Sequence, residues 1–259
     1  MSKLNFVEAD FADFSCLLDS ENYHSTQDRH ADFDIRAESL NQVDTTHPDE
    51  IGSDFSGISG IKLDIIESTL TTGSKVRLTG IVSGASCSNF TFGQYRCGYE
   101  ILVLDGEILA TSGGRQHKAT SGQYLRIPYG EQARFSNTGR FRFLIKLGEM
   151  SDTDHESRLI STDDKELWLP GPTDGTEVLP LHLHDTKNVL LIRWNTPAYF
   201  KPQLDPLGEE LFVVSGTLHD AYGSYEKNSW IRNPIPAWQS WGGHADTVVY
   251  YKNGHFPVI

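Results

Sequence analysis

Cysteine is scarce in this chain: Cys16, Cys87 and Cys97 are the three among 259 residues. That is too few and too odd a number for a disulfide framework, and no two stand as C-x-x-C, so free buried thiols are the expectation. Positive charge is outnumbered, with 22 Lys and Arg against 35 Asp and Glu for a net charge of −13. Nucleic acid and anionic membrane surfaces, which demand a basic face, are excluded as partners. No apolar run approaches the ~20 residues of a membrane span. The opening MSKLNFVEADF lacks the basic-then-apolar order of a signal peptide, so the cytoplasm is the expected compartment. Also missing are a glycine-rich phosphate loop, a G-x-S-x-G elbow, an H-E-x-x-H helix and a dinucleotide fingerprint, so none of those chemistries is signalled.

What is present is a turn-rich globular composition, 38% hydrophobic with 23 glycines, on a chain long enough for one large or two ordinary domains. Residues 1–55 hold 13 of the acidic residues against Lys3, Arg29 and Arg36. Most of the net charge therefore sits in this extension. Within it, Phe6, Val7, Phe11, Phe14, Leu17 and Leu18 recur at spacings of three and four, which predicts one short amphipathic helix followed by an extended arm.

From about residue 56 the sequence repeats. GYEILVLDGEI at 98–108 lies over GEELFVVSGTL at 208–218, with Gly98, Glu100 and Gly106 matching Gly208, Glu210 and Gly216. Further on, Gly122, Tyr124, Arg126 and Pro128 match Asn228, Trp230, Arg232 and Pro234, while Lys146 and Gly148 match Lys252 and Gly254. The offset drops from 110 to 106 along the way, which puts four extra residues of the first copy in TSGGRQHKATSG. The domains expected are an extension at 1–55, a first lobe at 56–150, a polar connector at 151–170 and a second lobe at 171–259.

The stretch from Lys201 to Tyr250 alternates short apolar runs with turn clusters at Pro206-Leu207-Gly208, Ser215-Gly216 and Asn233-Pro234, the punctuation of a small antiparallel β-barrel. Gly208-Glu209-Glu210 with Gly216, Arg232-Asn233-Pro234 and Tyr251-Lys252-x-Gly254-His255 resembles the ChrR-like cupin family. This resemblance implies an all-β fold of two cupin barrels in one chain, each an RmlC-like jelly roll or double-stranded β-helix, a bicupin. Cupins carry G-x5-H-x-H-x3,4-E-x6-G and G-x5-P-x-G-x2-H-x3-N, whose three histidines and glutamate hold a transition metal. The resemblance places Gln203, Asp205, Glu209 and Gln239 at those four positions in the second lobe. All four are oxygen donors, a set that suits manganese, calcium or magnesium better than zinc or iron. The alternative is a polar core in which the glutamines bond the acids and no ion binds. The zinc-binding H-x3-C-x2-C of the family's anti-sigma factors has no counterpart in residues 1–55.

In the first lobe the same alignment puts Gly93, Tyr95, Tyr99 and Ala133 at the ligand positions. With Phe90 and Phe92, the two tyrosines form either an aromatic cavity for a small ligand or a barrel filled by its own rings. His182-x-His184 is the one H-x-H; core-facing Leu181 and Leu183 would turn both histidines outward. A rearranged metal site of His182, His184 and His244 is the alternative. Arg193, Trp194, Arg232 and Trp238 are candidates for the barrel mouth, and Asp220, Gly223 and Tyr225 for a turn.

The function expected is binding of a small molecule or ion in the second barrel, as a sensor or binding module, by a monomer or homodimer. The competing expectation is a metal-dependent oxygenase, isomerase or lyase built on Gln203, Asp205, Glu209 and Gln239. A scaffold whose barrels only pack and pair is the third.

Overall fold

The computed structural model describes residues 38–39, 61–71, 75–92, 98–200, 203–204, 208–233 and 238–254, with the backbone alone at 38–39, 62–71, 75–77, 87–88, 203–204 and 238–239. The helix expected between Phe6 and Leu18, together with Cys16, Tyr95, Cys97 and Asp205, lies outside these residues.

Among the described residues the fold is all-β apart from one 3-10 turn at Lys165–Leu167, and no helix is long and apolar enough to cross a membrane. After β1 (Glu38–Ser39), the first lobe comprises β2 (Ile61–Thr71), β3 (Lys75–Gly84), β4 (Cys87–Phe90), β5 (Tyr99–Ser112), β6 (Arg115–Thr120), β7 (Gln123–Ile127), β8 (Arg134–Asn137) and β9 (Phe141–Leu147). The connector supplies β10 (Arg158–Ser161) and β11 (Leu169–Pro170). The second lobe follows with β12 (Thr176–His184), β13 (Lys187–Trp194), β14 (Ala198–Tyr199), β15 (Gln203–Leu204), β16 (Glu209–Ser215), β17 (Thr217–His219), β18 (Ser224–Glu226), β19 (Ser229–Asn233), β20 (Trp238–Gln239), β21 (Gly242–Gly243) and β22 (Thr247–Asn253).

The sequence repeat is a repeat of strand pairing. One sheet runs β10-β7-β5-β9-β3-β2 and the other β1-β19-β16-β22-β13-β12-β11. Their registers coincide: Tyr99 faces Leu147 and Ile127 across the ladder where Glu209 faces Asn253 and Asn233. A bulge follows Val103 in one and Val213 in the other. The residues with positive φ also match, at Gly106 and Gly216 (both 73°) and at Gly122 (76°) and Asn228 (73°). The last pair close equivalent turns, Gly122 N–H donating to Val103 O at 2.9 Å and Asn228 N–H to Val213 O at 2.8 Å. Left-handed backbone is open to glycine, and asparagine tolerates it better than other side chains, which is why these residue types recur. The four extra residues fall in the longer β5–β6 hairpin.

Strand side chains alternate between faces, so one strand feeds two cores. Tyr99, Ile101 and Val103 join the interior of the first lobe, and Leu211 and Val213 that of the second. Leu102, Leu144, Phe212 and Tyr250 point the other way and meet in a third core between the lobes, with Trp168 of the connector. Strands buried on both faces read as nearly unbroken apolar runs, such as ILVL and LFVV.

The same inter-lobe layer buries charge. Glu100, Lys146, Glu210 and Lys252 are each 5% exposed or less, and the repeat-related pairs exchange partners across the layer. Lys252 Nζ lies 2.6 Å from Glu100 Oε2, and Lys146 Nζ lies 2.6 Å from Glu210 Oε1. Glu149, which has no acidic counterpart in the other copy, joins them through Oε1 to Lys146 at 3.1 Å and Oε2 to Lys252 at 2.6 Å. Thr79 accepts from Lys146, Trp230 donates to Glu210 at 2.7 Å and Tyr250 donates to Glu100 at 3.3 Å. Burial works to raise the Glu100 pKa, yet Lys252 and Arg126 prevail and hold it below the ordinary value. Burial works to lower that of Lys146, and Glu149 and Glu210 raise it instead. Such a cluster is sound only when every charge is paired, and here it ties one lobe to the other in one register.

Candidate functional site: a polar rung inside the second lobe

The shared register allows the two interiors to be compared position by position. In the first lobe, Ile127, Tyr99, Leu147 and Leu78 form one rung across β7, β5, β9 and β3, all at most 1% exposed. The rung across β19, β16, β22 and β13 holds Asn233, Glu209, Asn253 and Asn188 instead. Three amides and a carboxylate have replaced three aliphatic side chains and a tyrosine. The alternation that sends Leu211, Ile231, Val249 and Ile192 into the core of the second lobe carries this rung along the same inner face.

Glu209 is 9% exposed. Its Oε1 accepts from Asn233 Nδ2 at 3.0 Å and from Trp241 Nε1 at 2.8 Å. Trp241 occupies the place of Phe135, which packs against Tyr99 with ring centroids 5.7 Å apart. The carboxylate–indole pair thus replaces a ring–ring contact. Buried carboxylates need such donors, since desolvation otherwise disfavours the charge.

The backbone brings Gln203 directly opposite Gln239 on the β15–β20 ladder, with Leu204 opposite Trp238. Of the four positions drawn from the family motif, Gln203, Glu209 and Gln239 fall on described backbone. Asn188, Asn233, Asn253 and Trp241 were not singled out by motif. The repeat alone exposes them, by laying them over Leu78, Ile127, Leu147 and Phe135.

Among the described residues, the first-lobe interior holds aromatic rings packed on one another. Phe90 stands 5.9 Å from Phe92 and 5.3 Å from Phe135, Tyr99 lies 6.3 Å from Phe92, and all four are 2% exposed or less. Tyr99 Oη accepts from Ala133 N–H at 3.5 Å.

Three expectations are corrected. A bulge between Pro180 and His182 resets the alternation of β12, so Leu181 and His182 both turn inward and Leu183 is left 39% exposed. His182 is 4% exposed, with Nε2 2.8 Å from Asp154 Oδ2, which also pairs with Arg126 of the first lobe. His184 stays half-buried, 3.2 Å from Thr153 Oγ1. Burial, with Arg126 nearby, lowers the His182 pKa despite Asp154. Burial works to raise that of Asp154, but His182 and Arg126 bring it down.

The trio of His182, His184 and His244 does not assemble. His182 pairs with Val189 at one end of β13, and His244 lies beyond Thr247, which pairs with Trp194 at the other. Five residues of strand, about 17 Å, separate those ends. Arg193, finally, turns away from the interior: its guanidinium bonds Glu177 at 2.6 and 3.0 Å and lies 4.1 Å over the Trp168 ring. Trp194 instead helps fill the second-lobe core. Asp220 does close a turn, its Oδ1 accepting from Tyr222 N–H, Gly223 N–H and Tyr225 Oη at 2.7 to 3.0 Å.

A transition metal of the kind that cupins hold through imidazole does not fit the described rung. The rung offers one carboxylate already accepting two N–H groups, three amides and no histidine, and no three His, Cys, Asp or Glu among the described residues gather as a metal set. The chemistry available is hydrogen bonding to a polar molecule, or oxygen ligation of a hard cation.

No curated protein sequence matches the chain. Among solved structures it is similar to protein Ylba from E. coli, at TM-score 0.55 and 17% identity over 79% of this chain and 87% of that one. It is also similar to a cupin 2 conserved barrel domain protein from Leptotrichia buccalis, at TM-score 0.54 and 8% identity over 85% and 96%. Quercetin 2,3-dioxygenase from Acinetobacter baumannii matches at TM-score 0.51 and 8% identity over 77% and 80%. At such identities the likeness is one of fold. The family model of the ChrR cupin-like domain matches residues 156–257, so the segment that contains the polar rung is similar to that domain.

Proposed function

We propose that the chain is a two-barrel cupin that works as a binding module: the second barrel receives a small polar molecule, and the first serves as its structural partner. The observation that carries this reading is the substitution of Asn233, Glu209, Asn253 and Asn188 for Ile127, Tyr99, Leu147 and Leu78 on one frame. Polar side chains on an inner face cost stability unless bonded, so a row of four on the strands of a barrel is a feature kept for use. A ligand bearing hydroxyl or amine donors would meet Glu209, and the amides offer both donors and acceptors. Gln203 and Gln239, opposite one another on the backbone ladder, and Asp205, which the family resemblance adds from sequence, are further oxygen donors, which makes manganese, calcium or magnesium the second class of ligand. The rung favours binding over an oxygenase, isomerase or lyase, since its donors lack imidazole.

The test is thermal denaturation of tag-free protein against polyols, sugars, amines and carboxamides, and separately against Mn, Ca and Mg ions. A ligand of the expected class raises Tm of the parent, as binding to the native state must, and the rise disappears in Glu209→Gln. A rise with a divalent ion alone, lost in the same variant, transfers the site to a cation. A response that survives Glu209→Gln, or none at all, overturns the reading.

A further inference from the structure

Two histidines meet on another sheet of this lobe. In the sheet β14-β21-β17-β18, Leu218 enters the core, so its neighbour His219 faces outward. Gly242 stands opposite both His219 and Tyr199, and Gly243 opposite Leu218. One residue on, His244 N–H donates to Thr217 O at 3.2 Å. This places His244 on the same face as His219, diagonally across the ladder, within reach of a long or ring-bearing side chain.

The glycine is required for this arrangement. A Cβ on Gly242 would lie 2.3 Å from His219 Nε2 and 2.6 Å from the Tyr199 ring. Without it, the two rings meet edge to face above the backbone, their centroids 4.8 Å apart. The Nε2 edge of His219 is thereby laid over Gly242. Its other nitrogen, Nδ1, is buried and has no hydrogen-bond partner among the described residues. The His244 ring stands beside it, with centroids 5.2 Å apart and planes tilted by 58°.

That separation has a chemical meaning. A metal bound ~2.0–2.1 Å from an imidazole nitrogen sits about 3.2 Å from the ring centroid, and two such rings at a tetrahedral angle of ~109° have centroids about 5.2 Å apart. We propose that His219 and His244 bind one divalent transition-metal ion on this outer face, with its remaining positions left to water or to a donor from outside the chain. Copper(II) heads the expected order of affinity, with nickel and zinc below it. The pair is peculiar to the second lobe: the matching ladder positions of the first hold Leu109, opposite Ser136, and two residues on Thr138.

The site is independent of the polar rung, and its test keeps the two apart. Copper(II) or zinc is titrated into tag-free full-length protein by calorimetry at pH 7.5. The expectation is one equivalent bound, at least tenfold weaker in His219→Ala and in His244→Ala, with the double variant no worse than either. Acidification to pH 5.5 weakens binding through proton competition. Copper resonance spectra of the parent show nitrogen coordination that both variants lose. Glu209→Gln and His182→Gln retain binding, and unchanged melting of the alanine variants confirms that they fold. A parent that binds no ion, or alanine variants that bind as the parent does, overturns the proposal.

Discussion

The two lobes share a ladder, a bulge and a set of left-handed turn residues, and they differ in what the inner face carries. At matching positions Tyr99 packs on Phe135, whereas Glu209 accepts from Trp241. Ile127 and Leu147 seal the one rung; Asn233 and Asn253 keep the other polar. The comparison separates what a fold needs from what a site needs. Residues that set backbone geometry are held in common, together with the charges that join the lobes. Those of the inner face have diverged, toward packing in one copy and toward hydrogen bonding in the other.

The largest effect is expected where the lobes are alike. Lys146→Met and Lys252→Met each leave buried carboxylates without their cation, and removing one partner of a buried pair costs about 3–5 kcal/mol. Denaturant unfolding of both variants should show losses of similar size. A loss below ~1 kcal/mol in either would mean that the charge layer is not shared equally by the copies. Lys146→Met combined with Glu210→Gln should recover part of the loss, because the stranded charge goes too.

Where the lobes differ, matched substitutions should diverge. Phe135→Ala opens a cavity in a fully packed aromatic interior and should cost about 3–5 kcal/mol. Trp241→Phe keeps the ring and removes one donor to a buried carboxylate, for about 1–3 kcal/mol. The binding response proposed for the second lobe should survive the first change and fail with the second. If Phe135→Ala abolishes it while Trp241→Phe does not, the assignment of roles to the lobes is inverted.

Much of this frame was legible in the sequence. Glycines and one asparagine at fixed offsets marked the turns, and apolar runs between them marked strands buried on both faces. The positions of Glu100, Lys146, Glu210 and Lys252 were visible as repeats. Their exchange of partners across the layer was not, because sequence gives equivalence and says nothing of which copy a side chain reaches. The polar rung was hidden for another reason: motif spacing directs attention to Gln203, Asp205, Glu209 and Gln239, while the contrast with the first lobe lies on the neighbouring strands. His182 was misplaced because a bulge adds one residue to a strand without altering its composition, and every side chain beyond it changes face.

That misplaced histidine supplies the smallest predicted effect and the sharpest difference between connector-facing strands. His182 faces Asp154 and Arg126, with Glu156 Oε2 3.5 Å from Nδ1 and the His184 ring beside it. Burial lowers its pKa below the ordinary ~6.5. The unfolded chain therefore takes up this proton at a higher pH than the native protein does. Stability rises with pH wherever the unfolded state holds more protons, so the contribution is complete above about pH 6.5 and drains away on acidification through the lowered native value. His219, shifted in the same direction, adds to the slope, whereas Glu100 and Asp154, both lowered, act only below about pH 4.5. Melting temperatures between pH 7.5 and 5.5 should fall for the parent and fall less steeply for His182→Gln. At the matching bulge of β2, between Ile65 and Glu67, the sequence has a glutamate where the second lobe has His182. A parent whose Tm is flat or rises on acidification would show that His182 is not held neutral by burial.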